Sequence, residues 1–413
     1  MSTLFNRLRY EVVQYKKGLP SVAAFGITQR CSLHCKMCRF WVDGNHDVEN
    51  ELETEQICCL IDELIDDLGV RRLRLVGGEP FLREDTVQII RHAKTRGMHV
   101  NVVTDGFEIS EGLADQIVVS GLDTLRFSID GVGEIHDKVR GKAGCYRRTA
   151  DSIGYIQEAK KRRDTPHPEV QIFSVITKIN YDQLLPLWNE SKTTFAPSRY
   201  LFGLVVEATP EMVEESIWNE KQLLDDHYIP IGKSLQLSNE QRAVFESHVR
   251  QISNKQESEV SREILNLLAR LFLNKPKCPE SNSIHIDQAG HVTFCSFYMN
   301  YSYGKYPETP VKHIWFSRRH AEFMQKIGTG GSLSFCNEIC GRIERYCVGN
   351  PKQLARNLLS RMIRSPLNSR KTKLFQFEIP DVEIKSRSEV MKKIDAWRAG
   401  VGSNSKTNIT GKI

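Results

Sequence analysis

Residues 31 to 38 read CSLHCKMC, placing Cys31, Cys35 and Cys38 on one short loop. Soft thiolate ligands select iron–sulfur clusters or zinc over hard cations. Most such sites take four protein ligands, and this loop offers three. Zinc sites of structural type are closed by four ligands and built from paired C-x2-C units, which the loop lacks. His34 lies between two of the cysteines, where its ring has trouble folding back to serve as a fourth ligand. A [4Fe–4S] cluster needs one thiolate per iron, so three cysteines grip three irons. The fourth iron is then open to a ligand from outside the chain.

A loop of this kind needs elements that hold it. From residue 22 to about 206, short β-rich runs alternate with longer helical ones. The strand candidates are Ala23 to Thr28, Arg72 to Val76, Val100 to Thr104, Thr124 to Ile129, Val170 to Thr177 and Tyr200 to Val206. Helical spacing fills the gaps: Thr54 to Leu68, Asp85 to Arg96, Ser110 to Ser120, Tyr146 to Lys161, and a helix capped by Asn180. Six βα steps predict an α/β fold, a parallel sheet with helices outside that closes wholly or partly as a (β/α)6 TIM-like barrel. Chemistry in such a fold belongs at the C-terminal ends of the strands. The motifs fall there: the cysteine loop after the first strand, GGEP (Gly77 to Pro80) after the second, TDG (Thr104 to Gly106) after the third and SIDG (Ser128 to Gly131) after the fourth.

As a set on one rim, these motifs resemble the radical S-adenosylmethionine (radical SAM) enzymes over roughly residues 20 to 210. The resemblance implies that Cys31, Cys35 and Cys38 hold a [4Fe–4S] cluster whose open iron chelates the amino and carboxylate groups of SAM. Reductive cleavage then yields a 5′-deoxyadenosyl radical that abstracts hydrogen from substrate. It also implies that Gly77 and Gly78 bring the backbone close to SAM and that Glu79 accepts from its ammonium group. Thr104 and Ser128 match polar contacts to methionine or ribose, and Arg140 matches a basic residue near the SAM carboxylate. Met37 stands where an aromatic residue often packs on the adenine, and Asp105 stands where Asn is usual after the threonine.

A second cysteine group follows: Cys278-x11-Gly290-x4-Cys295, then Cys336, Cys340 and Cys347. It resembles the SPASM or shorter twitch extension of the same enzymes, which carries auxiliary [4Fe–4S] clusters. Five cysteines cannot close two clusters that need eight, so the expectation is one auxiliary cluster. Its ligands would be Cys278, Cys295, Cys336 and Cys340, with Cys347 as substitute for one of the last two, and a zinc site is the alternative. Cys58 and Cys59 lie within an amphipathic helix and read as buried small hydrophobes. Cys145 reads as core packing, with hydrogen donation to a substrate radical as the alternative.

The boundaries expected are a segment over 1–20, the core barrel over 21–209, a helical connector over 210–275, a cluster-binding domain over 276–350 and a basic tail over 351–413. The chain has 413 residues, 40% hydrophobic content, 26% charged content and a net charge of +6. The tail carries fourteen Lys or Arg against five Asp or Glu, leaving the first 350 residues slightly acidic. Such a balance gives no nucleic-acid signature, and the tail reads as a docked helix with a solvated basic face or a peripheral membrane contact. No apolar run spans a bilayer and the N-terminus lacks a signal peptide, which predicts a cytoplasmic protein. Eleven clustered cysteines fit metal ligation better than disulfides there.

The activity implied is a radical SAM oxidoreductase supplied with electrons by flavodoxin or ferredoxin. Only about twenty residues precede the first strand, which favours a small-molecule substrate such as a sugar, nucleoside, cofactor precursor or lipid headgroup. Maturation of a ribosomal peptide is the alternative. From another class, the chain could be a non-catalytic iron–sulfur or zinc binding protein, against which the intact GGEP rim argues.

Overall fold

The computed structural model describes residues 10, 13–14, 17–38, 41, 50–218, 221–224, 228–230, 232–253, 283–296 and 298–328. They belong to one compact unit spanning Met1–Ser360; a second unit, Arg361–Ile413, lies outside the described residues. Cys278, Cys336, Cys340, Cys347 and the basic tail also fall outside them.

Strands and helices alternate from the start: β1 (Val22–Thr28), α1 (Thr54–Asp66), β2 (Arg72–Gly77), α2 (Thr86–Thr95), β3 (His99–Thr104), α3 (Glu111–Val119) and β4 (Thr124–Ser128). There follow α4 (Glu134–Arg140), α5 (Cys145–Arg162), β5 (Glu169–Ile176), α6 (Leu184–Glu190), β6 (Arg199–Leu204), α7 (Pro210–Glu215) and α8 (Asn239–Ser253). Beyond them lie β7 (Ser283–Ile286), β8 (His291–Thr293), β9 (Gly304–Lys305), α9 (Val311–Trp315) and α10 (Arg318–Gly328). The fold is α/β with a parallel sheet β1 to β6, as the alternation of the sequence implies.

The sheet has nine strands in the order β9-β8-β7-β1-β2-β3-β4-β5-β6. β7 pairs in parallel with β1, Ala24 opposite His285, and the β7–β8 hairpin folds back antiparallel. Residues 283–305 thus add strands to the barrel's own sheet. Gly290 makes the hairpin turn at φ +87°, where a Cβ would lie 2.1 Å from the Tyr306 carbonyl oxygen. Only glycine fits there.

Alternation gives each strand two faces. Leu73, Leu75, Val100, Val102, Leu125, Phe127, Val170 and Ile172 are buried and share one hydrophobic core with the helices. α1 contributes Ile57, Leu60, Ile61, Leu64 and Ile65; truncating one of these to Ala costs about 2–5 kcal/mol. Cys58 and Cys59 fall off that stripe, so Cys59 is exposed and Cys58 half-buried, correcting the expectation that both are core. Asn180 does not cap a helix either: α6 starts at Leu184 behind Gln183. Its side chain instead accepts from Thr177 N at 2.7 Å and donates to the carbonyls of Asp130 and Val175, bracing two strand ends. Among the described residues no helix is long and apolar enough to cross a membrane.

Candidate radical SAM site

The cysteine loop leaves the C-terminal end of β1 and is held from two sides. On one side, Gly78 N donates to Thr28 O at 2.8 Å and Glu79 N to Arg30 O at 2.7 Å, so GGEP extends the pairing of β2 with β1. A Cβ on Gly77 or Gly78 would lie 2.2 Å from the Thr28 or Arg30 carbonyl oxygen respectively. The space freed by the missing side chains is thus filled by the entry to the cysteine loop. On the other side, His34 N donates to Arg140 O and Lys36 N to Val139 O, pinning the loop to the end of α4. Gly141, at φ +69°, allows that approach, since its Cβ would lie 2.2 Å from His34 O.

Within the loop Cys35 is buried, Cys31 and Cys38 are half-buried, and Cys38 N closes a turn onto Cys35 O at 3.1 Å. The three sulfurs pack with Leu33, Met37, Phe107 and Cys145. Burial pushes the Cys35 thiol up to about 12, against the pull of the neighbouring Arg140 guanidinium, and burial raises Cys31 as well. Desolvated thiols of this kind ionise when a metal supplies the compensating charge. Among the described residues no three His, Cys, Asp or Glu side chains converge on a single-ion position. A four-iron cluster takes one thiolate on each iron, which suits thiols spread along a loop, so the donor set fits the cluster. His34 is exposed, with its ring edge-on to Trp41 at 5.2 Å.

Behind the loop lies a buried polar shell. The Glu79 carboxylate, fully buried, accepts from Phe81 N at 3.1 Å, Thr104 Oγ1 at 2.8 Å and Asp105 N at 2.8 Å. Thr104 in turn accepts from Gly106 N, so its hydroxyl is committed on both sides. Burial, then the nearness of Asp105, holds the Glu79 carboxyl well above the usual range, and burial raises Asp105 too. Arg140 Nη2 is ion-paired with Asp130 Oδ2 at 2.7 Å, while Nη1 reaches Cys35 Sγ at 3.7 Å. Burial works to lower the Arg140 pKa, yet Asp130 and Cys35 outweigh it and keep the guanidinium charged. Asp130 also accepts from Val175 N at 2.7 Å. His136 Nδ1 accepts from Asp130 N at 3.0 Å, and burial keeps the ring neutral.

Met37 stands at the mouth of the site, lining a small cleft with Val206, Glu207 and Tyr228. Ser128 ends β4 half-buried. Cys145 is fully buried against the loop, as packing requires. Asp130, His136 and Lys142 escaped the sequence reading as site residues; Lys142 Nζ donates to Ser32 O at 3.2 Å and sits 3.7 Å from the centre of the Phe107 ring. Their signal was the polar run DGVGEIHDKVRGK that follows β4.

Cys295 is buried two residues past β8. Because β7 runs parallel to β1, β8 returns toward the start of β1, at the end of the sheet away from Cys31. The seven residues of β1 span roughly 20 Å at ~3.3 Å per residue. Cys295 cannot therefore serve as the fourth ligand of the first loop.

An α/β barrel with a three-thiolate loop at one strand end and GGE clamped beside it defines a cluster-and-SAM enzyme. Residues 25–184 match the radical SAM superfamily model. An AdoMet-dependent heme synthase of Methanosarcina barkeri is 25% identical over 335 residues, covering 80% of this chain and 90% of that protein. An Fe-coproporphyrin III synthase of the same organism is 25% identical over 331 residues, covering 75% of this chain and 77% of its own. Among solved structures, Streptococcus suis SuiB bound to precursor peptide SuiA shares the fold at a TM-score of 0.54 and 14% identity, covering 75% of this chain and 68% of SuiB. The chain carries a radical SAM domain over residues 25–184 and is a radical SAM enzyme; enzymes with that domain use a [4Fe–4S] cluster and SAM.

Proposed function

We propose that this chain is an oxidoreductase that abstracts hydrogen from a small molecule of the cofactor-precursor class. The observation that carries the reading is the span of the two relatives named above, which align along three quarters or more of this chain, past the barrel and into the second cysteine group. Their names point to iron-bound, carboxylate-bearing tetrapyrroles and their precursors.

Cys31, Cys35 and Cys38 hold the cluster in this reading, which when bound delivers an electron to the SAM sulfonium. The chain's own residues position and shield that step. Glu79 and Thr104 fix the loop floor where the SAM amino group would lie, Ser128 and Arg140 offer polar contacts to its ribose and carboxylate, and Met37 offers polarizable contact to adenine. Four of the second group, Cys278, Cys295, Cys336 and Cys340, with Cys347 as substitute for one of the last two, supply the ligands of one auxiliary [4Fe–4S] cluster in this reading, and flavodoxin or ferredoxin supplies electrons.

The test is anaerobic reconstitution with iron and sulfide, addition of dithionite and SAM, and measurement of 5′-deoxyadenosine. Formation that depends on Cys31, Cys35 and Cys38 supports the reading. A loaded cluster with no 5′-deoxyadenosine overturns it. A precursor peptide that accelerates turnover, where iron porphyrins and their free bases do not, would move the substrate class to peptides.

A further inference from the structure

The sheet face turned away from the helices carries three arginines with no acidic partner among the described residues. Arg126 on β4, Gln171 on β5 and Arg199 on β6 stand in register across three adjacent strands. Arg74 on β2 is in register with Asn101 on β3, which pairs with Thr124, two residues before Arg126. Neighbouring strands lie about 4.8 Å apart and directly paired residues point to the same side, so these side chains share one surface.

Their surroundings do not satisfy them. Arg126 Nη2 donates to Gln171 Oε1 at 3.0 Å, but Arg126 Nε is buried without a partner, and so is Asn101 Oδ1. No ion pair to a carboxylate forms at Arg74, Arg126 or Arg199 among the described residues. Burial, then the like charges of Arg74 and Arg199, pulls the Arg126 pKa down to about 10. Three half-buried guanidinium groups held close together, one with a buried unpartnered Nε, repel one another unless something anionic joins them. Level with Arg126 the same face carries Val103, and nearer the cysteine rim it turns apolar on β5, with Phe173 and Val175.

From this row of cations beneath an apolar wall we infer that the barrel interior binds the substrate's anionic groups, at least two carboxylates or phosphates on one small molecule. The inference deepens the proposed function and rests on it. Guanidinium forks grip planar or tetrahedral oxyanions through paired hydrogen bonds. Arg74 lies three residues before Gly77, about 10 Å below the rim at ~3.3 Å per residue. A molecule anchored on the arginines thus presents carbon atoms about 10 Å away to the cluster end. That length sets substrate size and selects which hydrogen is exposed.

The experiment titrates the full-length, cluster-loaded protein with citrate and, separately, with pyrophosphate by calorimetry. Wild type is compared with Arg126→Met, Arg126→Lys, Arg199→Met and Arg74→Met. At least one probe binds wild type, each Met variant weakens it tenfold or more, and Arg126→Lys weakens it less. Citrate alone binding assigns carboxylates, pyrophosphate alone assigns phosphates. Without anion, Arg126→Met raises Tm, because an unmatched buried charge is removed; a purely structural arginine would lower it. Equal affinity in wild type and Arg126→Met, or no binding of either probe, overturns the inference. 5′-Deoxyadenosine formed in the same samples without arginine-dependent binding sinks the inference alone. Arginine-dependent binding without 5′-deoxyadenosine sinks the proposed function and leaves the anion site standing.

Discussion

Arg140 reaches Cys35 Sγ with one nitrogen at 3.7 Å while Asp130 holds another at 2.7 Å, so a fixed positive charge sits directly behind a cysteine of the cluster loop. Asp130 is fully buried and takes its second bond from β5, which leaves the guanidinium little freedom. Arg140→Gln removes the charge and strands Asp130, which costs about 3–5 kcal/mol. Thermal unfolding should show that loss. The double variant Arg140→Gln with Asp130→Asn, freed of the stranded carboxylate, should recover most of it. In that double variant the midpoint potential of the loaded cluster should fall, because an oxidised cluster loses less from the missing cation than a reduced one. Equal potentials in wild type and double variant would show that Arg140 has no electrostatic hold on the cluster.

Gly78→Ala tests whether the glycine pair serves the loop. The new methyl would meet the Arg30 carbonyl oxygen at 2.2 Å, a backbone atom that cannot swing aside. Overpacking of this kind costs about 1–3 kcal/mol, and more where the backbone must move. Both Tm and iron bound per chain should drop, since the displaced strand is the one that leads into Cys31. Unchanged iron binding with weaker SAM binding alone would assign the glycine to SAM instead.

The Glu79 and Asp105 carboxyls predict a pH dependence. Both are held above the ordinary carboxyl value of about 4 by burial, so the folded state keeps a proton that the unfolded chain has lost. Stability from this pair is therefore full below about pH 4 and declines as pH rises from there toward the folded values. Asp105→Asn keeps an oxygen for Phe107 N, which Asp105 Oδ1 bonds at 2.7 Å, and removes one acid. The metal-free variant should be more stable than wild type at pH 7 to 8, on the order of 1 kcal/mol, with the gap narrowing toward pH 5. Denaturant titrations across that range check it, and a gap that widens on acidification would refute the assignment.

The six parallel strands and the rim they form were legible because hydrophobic alternation and motif position are local signals. Strand ends differed by only a residue or two, as where Ala23 became Val22 and Thr177 became Ile176. What escaped depended on partners far along the chain. α4 has seven residues, EIHDKVR, too short and polar to show a stripe, and it is set by Gly133 and Gly141 at positive φ. The pairing of β7 with β1 joins residues about 260 apart, and nothing in SIHI names its neighbour. Arg74, Arg126 and Arg199 look like a solvent face in each strand alone; their interior clustering exists only in the assembled register.

That same register makes Cys295 the sharpest test of the second cysteine group. It lies buried beside Phe294, whose ring is 5.7 Å from Phe323, at the sheet end opposite Cys31. A ligand there belongs to a separate cluster, so its removal should leave the first one loaded. Cys295→Ser should lower iron from about eight to about four per chain, and so should Cys31→Ser, each eliminating a different spectroscopic species. 5′-Deoxyadenosine formed without substrate should survive in Cys295→Ser and vanish in Cys31→Ser. Iron unchanged in Cys295→Ser would confine Cys295 to packing, as a buried thiol among aromatic rings.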